Sequence, residues 1–144
     1  ISGGGFLFGW AKPVPFNPYN LKNPERDGAL IAIAGPLSNF SLALIFSLAV
    51  KAGGFFSSFP LVENLLPFFS VIILTNVALA VFNLVPLPPL DGSKIIFAFL
   101  PRSAEADRIK FFLEQYGPFF LLLFIFFGFG VIAPIIYNIY RLLI

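Results

Sequence analysis

The sequence predicts an all-α membrane protein: three transmembrane helices behind a proline-rich, extended interfacial segment at the N-terminus. Three observations carry that expectation. Charged residues make up 11% of the chain, against about a quarter in an ordinary globular domain, while 58% is hydrophobic and the mean hydropathy is +0.93. Three stretches free of charge, Gly28 to Val50, Asn64 to Leu90 and Gln115 to Tyr140, are each long enough to cross a bilayer, which takes about 20 mostly apolar residues. A soluble helical core would have to cover 21 phenylalanines with more polar surface than this chain owns. The expected organisation is therefore residues 1–27 as an interfacial loop or strand and 28–144 as the transmembrane core, with spans at about 28–50, 68–85 and 117–140.

The N-terminal segment "GWAKPVPFNPYNLKNPERD" carries prolines at 13, 15, 18 and 24, which forbid a regular helix and favour extended backbone. Trp10 and Tyr19 suit the headgroup layer. The chain starts at Ile1 without the basic start or cleavage site of a signal peptide, and it reads as a fragment whose front part is missing.

Within the first span, Gly28, Ala32, Gly35 and Asn39 fall on one narrow helical stripe. Small residues with one amide among them make a helix-contact face, and Pro36 kinks or breaks the helix there. The second span holds Pro67 near its start and Pro86 near its end, which places its regular helix at about Phe68 to Val85. Asn76 and Asn83 share a face of it with Ala80, and an amide in lipid has to find a partner inside the protein. The connection that follows, "RSAEADRIKFFLEQY", reads as a short amphipathic helix capped by Ser103, with Ile109, Phe112 and Leu113 on the membrane surface. The third span is expected to start at Gly117-Pro118, since proline suits a first helical position, and it ends in the interfacial residues Tyr137, Tyr140 and Arg141.

Basic residues alternate along the chain: Lys12, Lys22 and Arg26 before the first span, Lys51 after it, then Lys94, Arg102, Arg108 and Lys110, and finally Arg141. The positive-inside rule then puts residues 1–27 and 91–116 in the cytoplasm. No Lys/Arg cluster suited to nucleic acid occurs, so the partners expected are membrane lipid and other membrane-embedded chains. The chain has neither cysteine nor histidine, which removes thiolate, disulfide and imidazole chemistry from its own residues.

That leaves Asp91. It follows "NLVPLPPL", where Pro86, Pro88 and Pro89 end the helix and leave irregular backbone at membrane depth, a conformation tolerated only inside protein or against water. From the residues alone Asp91 is a helix cap, a proton or ion relay, a salt-bridge partner of Lys94, or a metal ligand.

"GPLSN" at 35–39 and "NLVPLPPLDG" at 83–92 resemble the two later signature motifs of the site-2 protease family of intramembrane zinc metalloproteases, Gly-Pro-x-x-Asn and Asn-x-x-Pro-x-x-x-Leu-Asp-Gly, without substitution. The flank "GWAKPVPFNPYN" is similar to the segment before the Gly-Pro span in the bacterial and archaeal branch. The resemblance runs from about Gly9 to Leu100, and the third span fits the closing helix by layout only. It implies a prokaryotic cell-membrane protein in which Asp91 is the carboxylate ligand of a catalytic zinc. Asn83 and Asn39 would contact substrate backbone or the developing oxyanion. Gly35, Pro36, Pro86, Leu90 and Gly92 would form the structural frame. Transmembrane protein substrates, cut near the cytoplasmic face, are the implied partners. The His-Glu-x-x-His helix that would supply the other zinc ligands and the general base is expected upstream, so no catalytic base lies in this chain and it should be inactive alone. The alternatives are an inactive homologue that binds membrane helices and a small transporter part that uses Asp91.

Overall fold

The computed structural model describes residues 24–54 and 60–144, and all regular structure among them is helical. The elements are α1 (Pro24–Gly54), α2 (Pro60–Asn83), α3 (Asp91–Phe99), α4 (Ala104–Leu123), a π-helical turn (Phe124–Gly128) and α5 (Phe129–Leu143). The proline-rich stretch through Tyr19, with its expected interfacial role, lies outside the described residues.

Three helices are long and apolar enough to cross a membrane: Arg26–Gly54, Asn64–Asn83 and Ala104–Leu143. Their outer faces are apolar as well as exposed, with Leu48, Phe68, Phe126 and Phe127 at 67%, 67%, 73% and 82%. Apolar surface that would be a liability in water is what a lipid-facing helix presents.

The helices differ from the sequence expectation at three places. Pro67 does not start α2 but lies inside it, seven residues past Pro60. A proline removes one intrahelical hydrogen bond, and the helix beyond it carries no charge and is mostly apolar. At the other end the helix stops at Asn83, two residues before the expected Val85. Gly117-Pro118 likewise lies within one continuous helical run from Ala104 to Leu143, 40 residues long. At 1.5 Å per residue such a rod is about 60 Å long, twice the roughly 30 Å hydrocarbon core. The charged residues Glu105, Asp107, Arg108, Lys110 and Glu114 all sit in its first part, the part that a hydrocarbon core would exclude. Ser103 caps this helix as expected, its hydroxyl accepting the Ala106 N–H at 3.2 Å.

The core is small and built from small residues. On α1 the buried face is Ala29, Ala32, Pro36, Ala43 and Ser47. This face lies beside the stripe read from the sequence, which shares Ala32 with it, while Gly35 is exposed at its edge. On α2 the buried positions are Ile73, Val77 and Ala80, at helical spacing. Ile73 and Val77 meet Ala43, Val85, Leu90 and, from α5, Ile132 and Ile136 in one cluster. α1 thus packs on α2 and α3, and α2 on α5. Without a solvent-driven hydrophobic term between helices in lipid, such close contacts through alanine and glycine supply the association. The Ser47 hydroxyl also donates to the Leu143 carbonyl, tying the end of α5 to α1.

Gly117 is the contact that seats the long third helix. A Cβ there would come within 2.6 Å of the Pro88 carbonyl oxygen. Gly117→Val should therefore lower stability by about 1–3 kcal/mol, the usual cost of overpacking, read as an earlier thermal transition in detergent. Gly130→Ala, on the same helical run with nothing within 4 Å, should leave the transition unchanged or raise it.

Candidate metal-ligand site at the proline break

Between α2 and α3 the chain spends seven residues, Leu84 to Leu90, without regular structure. Pro86, Pro88 and Pro89 have no N–H to satisfy, and the Pro88–Pro89 peptide is cis. The four remaining donors are all used locally. Leu84 N–H bonds Ala80 and Val81 carbonyls at 3.2 Å, Val85 bonds Phe82 at 3.0 Å, Leu87 bonds Val85 at 2.8 Å and Leu90 bonds Leu87 at 2.9 Å. Every N–H that these seven residues own therefore has a partner a few residues back in the chain.

The loop then folds back on itself. Gly92 and Ser93 are buried, and a Cβ at Gly92 would overlap the Leu84 and Val85 carbonyls. Ser93 fastens the turn by donating from its hydroxyl to the Leu90 carbonyl at 2.7 Å and from its N–H to the same oxygen at 3.2 Å. The result is a helix start fixed in place, with Leu90 at the N-cap and Asp91 in the first turn. A carboxylate there is favoured by the helix dipole.

Asp91 is half-buried, and its two oxygens have different neighbours. Oδ1 accepts from Lys94 Nζ at 3.1 Å. Oδ2 faces α1 beside Gly35, 3.2 Å from where a Cβ on that residue would be. The glycine and proline of the first motif therefore have separate roles: Pro36 is buried in the helix packing, while Gly35 leaves the space that the carboxylate occupies. Of the meanings open to Asp91 from sequence, the pairing with Lys94 is present, and no side chain caps α3. Exposed pairs of this kind are worth about 0.2–1 kcal/mol, too little to explain an acid at the end of a spanning helix.

Asn39 and Asn83 are both half-buried on the packed helices α1 and α2. Asn76 is used within its own helix, its amide donating to the Ile72 carbonyl at 2.9 Å. On the other side of Asp91, Pro88, Pro89, Ser93, Lys94, Phe97 and Glu114 line a cleft of about 350 Å³ between the loop, α3 and α4. Sequence reasoning did not find the approach of Gly35 to Asp91, because two positions on separate helices carry no spacing signal. Nor did it find the seat of Gly117 on Pro88. The one available hint was the glycine itself, which inside an apolar helix has a reason in close packing.

Among the described residues no three His, Cys, Asp or Glu side chains lie close enough to hold a metal ion. Asp91 fits one vertex of a zinc site. It offers an oxygen donor over a glycine whose missing Cβ leaves room, and zinc takes such donors alongside imidazoles. The other donors are not among the residues of this chain, which has no histidine or cysteine.

A family model described as Peptidase family M50 matches residues 60–124, from α2 through the proline break and α3 to the π turn. This match agrees with the resemblance of the two motifs to the site-2 protease family. The matched segment contains the whole Leu84–Leu90 break and Asp91. Over 122 residues, 82% of this chain, the sequence is 43% identical to "Putative zinc metalloprotease YwhC" of Bacillus subtilis (strain 168), of which the alignment covers 55%. Over 77 residues, 51% of this chain, it is 38% identical to "Putative zinc metalloprotease MJ0611" of Methanocaldococcus jannaschii, of which 35% is covered. The chain thus spans about half or less of the length of these curated relatives. No solved structure matches it.

The geometry leaves no room for a side chain at Gly92, in the first turn of α3. Gly92→Ala should destabilise the protein by about 1–3 kcal/mol, measured by thermal unfolding in detergent. Gly28→Ala, where nothing lies within 4 Å, should not.

Proposed function

We propose that this chain is the C-terminal part of a multi-pass intramembrane zinc metalloendopeptidase that cleaves membrane-spanning substrates near the cytoplasmic face, with Asp91 as the carboxylate ligand of the metal. The observation that carries the reading is the meeting of the two motifs: the proline break delivers Asp91 to the open edge of α1 at Gly35. A carboxylate serving only the α3 dipole would not need a glycine on another helix to make space for it. The family match and the names of the relatives support a metallopeptidase.

Two imidazoles and a general-base carboxylate, carried by a His-Glu-x-x-His helix outside these 144 residues, complete the site in this reading. The zinc, when bound, supplies the Lewis acidity that activates a water near neutral pH. The chain's own residues do the rest. Asp91 provides one oxygen ligand. Asn83 and Asn39, half-buried on α2 and α1 and outside the Pro88–Glu114 cleft, hold the substrate backbone and donate to the oxygen that gains charge as the peptide bond is attacked. The proline-rich residues 12–18 pair with the unwound substrate as an added strand, and residues 1–27 and 91–116 face the cytoplasm. The same absence of histidine favours a second reading, an inactive homologue that captures membrane helices in this cleft. The full coding sequence separates the two, since only the first requires a His-Glu-x-x-His segment.

In the complete protein carrying that segment, bound zinc measured by mass spectrometry should be near one per chain and should be lost in Asp91→Ala. Retention of zinc and proteolysis by that variant would remove the assignment. Asn83→Ala and Asn39→Ala should keep their zinc and lower kcat by about 10²–10³, measured on a transmembrane substrate in proteoliposomes. Wild-type rates would take both asparagines out of the mechanism.

A further inference from the structure

Lys94 stands in the first turn of α3, three residues after Asp91, with its ammonium on Asp91 Oδ1 at 3.1 Å. A cation at a helix N-terminus opposes the helix dipole. An ion pair whose side chains are 49% and 31% exposed gains little stability from the attraction. Helix stability therefore does not account for a lysine at this position. What the pair does fix is the carboxylate, for one of its oxygens is occupied and the other is left toward Gly35.

The support beneath the pair is rigid. Gly92 and Ser93, the two residues after Asp91, are buried, and Ser93 is bonded twice to the Leu90 carbonyl. Both partners belong to one short helix, so the pairing does not depend on how α3 packs against its neighbours.

We propose that Lys94 is a positioning residue for Asp91: it holds Oδ1 so that the carboxylate offers a single oxygen, Oδ2, to a divalent cation. The role rests on the assignment of Asp91 as a metal ligand made above. Partners that orient a ligand from behind typically govern metal affinity by about 10–100-fold.

The test is zinc affinity of the complete, imidazole-bearing protein in detergent, by competition with a chromophoric chelator. Lys94→Met and Lys94→Gln should each bind zinc about 10–100-fold more weakly. Lys94→Arg, which keeps a cation over the same oxygen, should bind within about threefold of wild type. All three should melt like wild type, because the side chain is half exposed. Affinity in Lys94→Met and Lys94→Gln that equals or exceeds wild type overturns the role, as does an equal loss in all three variants. Asp91→Ala distinguishes the two levels of failure. If it binds zinc like wild type, the metal assignment itself is wrong; if it loses zinc while Lys94→Met and Lys94→Gln do not, only the positioning role falls.

Discussion

Backbone hydrogen bonding in lipid is the constraint on which the rest of this structure depends. A helix that stops at membrane depth leaves backbone groups that nothing in the hydrocarbon can satisfy. Between Leu84 and Leu90 the chain meets the donor half of that demand by composition as much as by geometry: three of the seven residues are prolines with no donor, and the other four N–H groups bond carbonyls a few residues back. Once the break is tolerated, the chain can turn, start α3 inside the fold and bring it alongside α1. The close approaches at Gly92 and Gly117 hold the turn from below and from the third helix. Asp91 is the first residue to emerge from that arrangement, and its position is a consequence of it.

The small residues of α1 follow from the same requirement. A larger side chain in place of Ala32 or Ala43 would keep α2 and α3 away. At Gly35 it would push into the carboxylate. Among the described residues Ile73 and Val77 are the largest fully buried side chains, and the phenylalanines described face outward or lie in partly covered positions. Such a protein is held by contact between backbones more than by a bulky interior.

Much of this was legible in the sequence, for physical reasons that can be named. Charge-free stretches mark spans because charges are costly in lipid, and Pro86, Pro88 and Pro89 together remove three donors within four residues, more than a regular helix absorbs. The two motifs pointed to the family whose model matches residues 60–124. Helix boundaries were less legible. Pro67 and Pro118 look like starts, yet each sits inside a helix because the loss of a single hydrogen bond is smaller than the gain from continuing an apolar helix. The partnership of Gly35 with Asp91 was not legible at all, since it joins positions on different helices. The reading of 28, 32, 35 and 39 as one contact stripe was displaced onto 29, 32, 36, 43 and 47, and that displacement is what leaves Gly35 at an open edge.

The account joins a structural statement, that the break aims Asp91 at the edge of α1, to a chemical one, that a zinc ion is bound there. Diffraction from the complete protein at the zinc absorption edge tests both together. The account predicts an anomalous peak at about 2.0–2.2 Å from an Asp91 oxygen, on the side of Gly35 and away from Lys94. A peak coordinated without Asp91, or on the Lys94 side of the carboxylate, would contradict it.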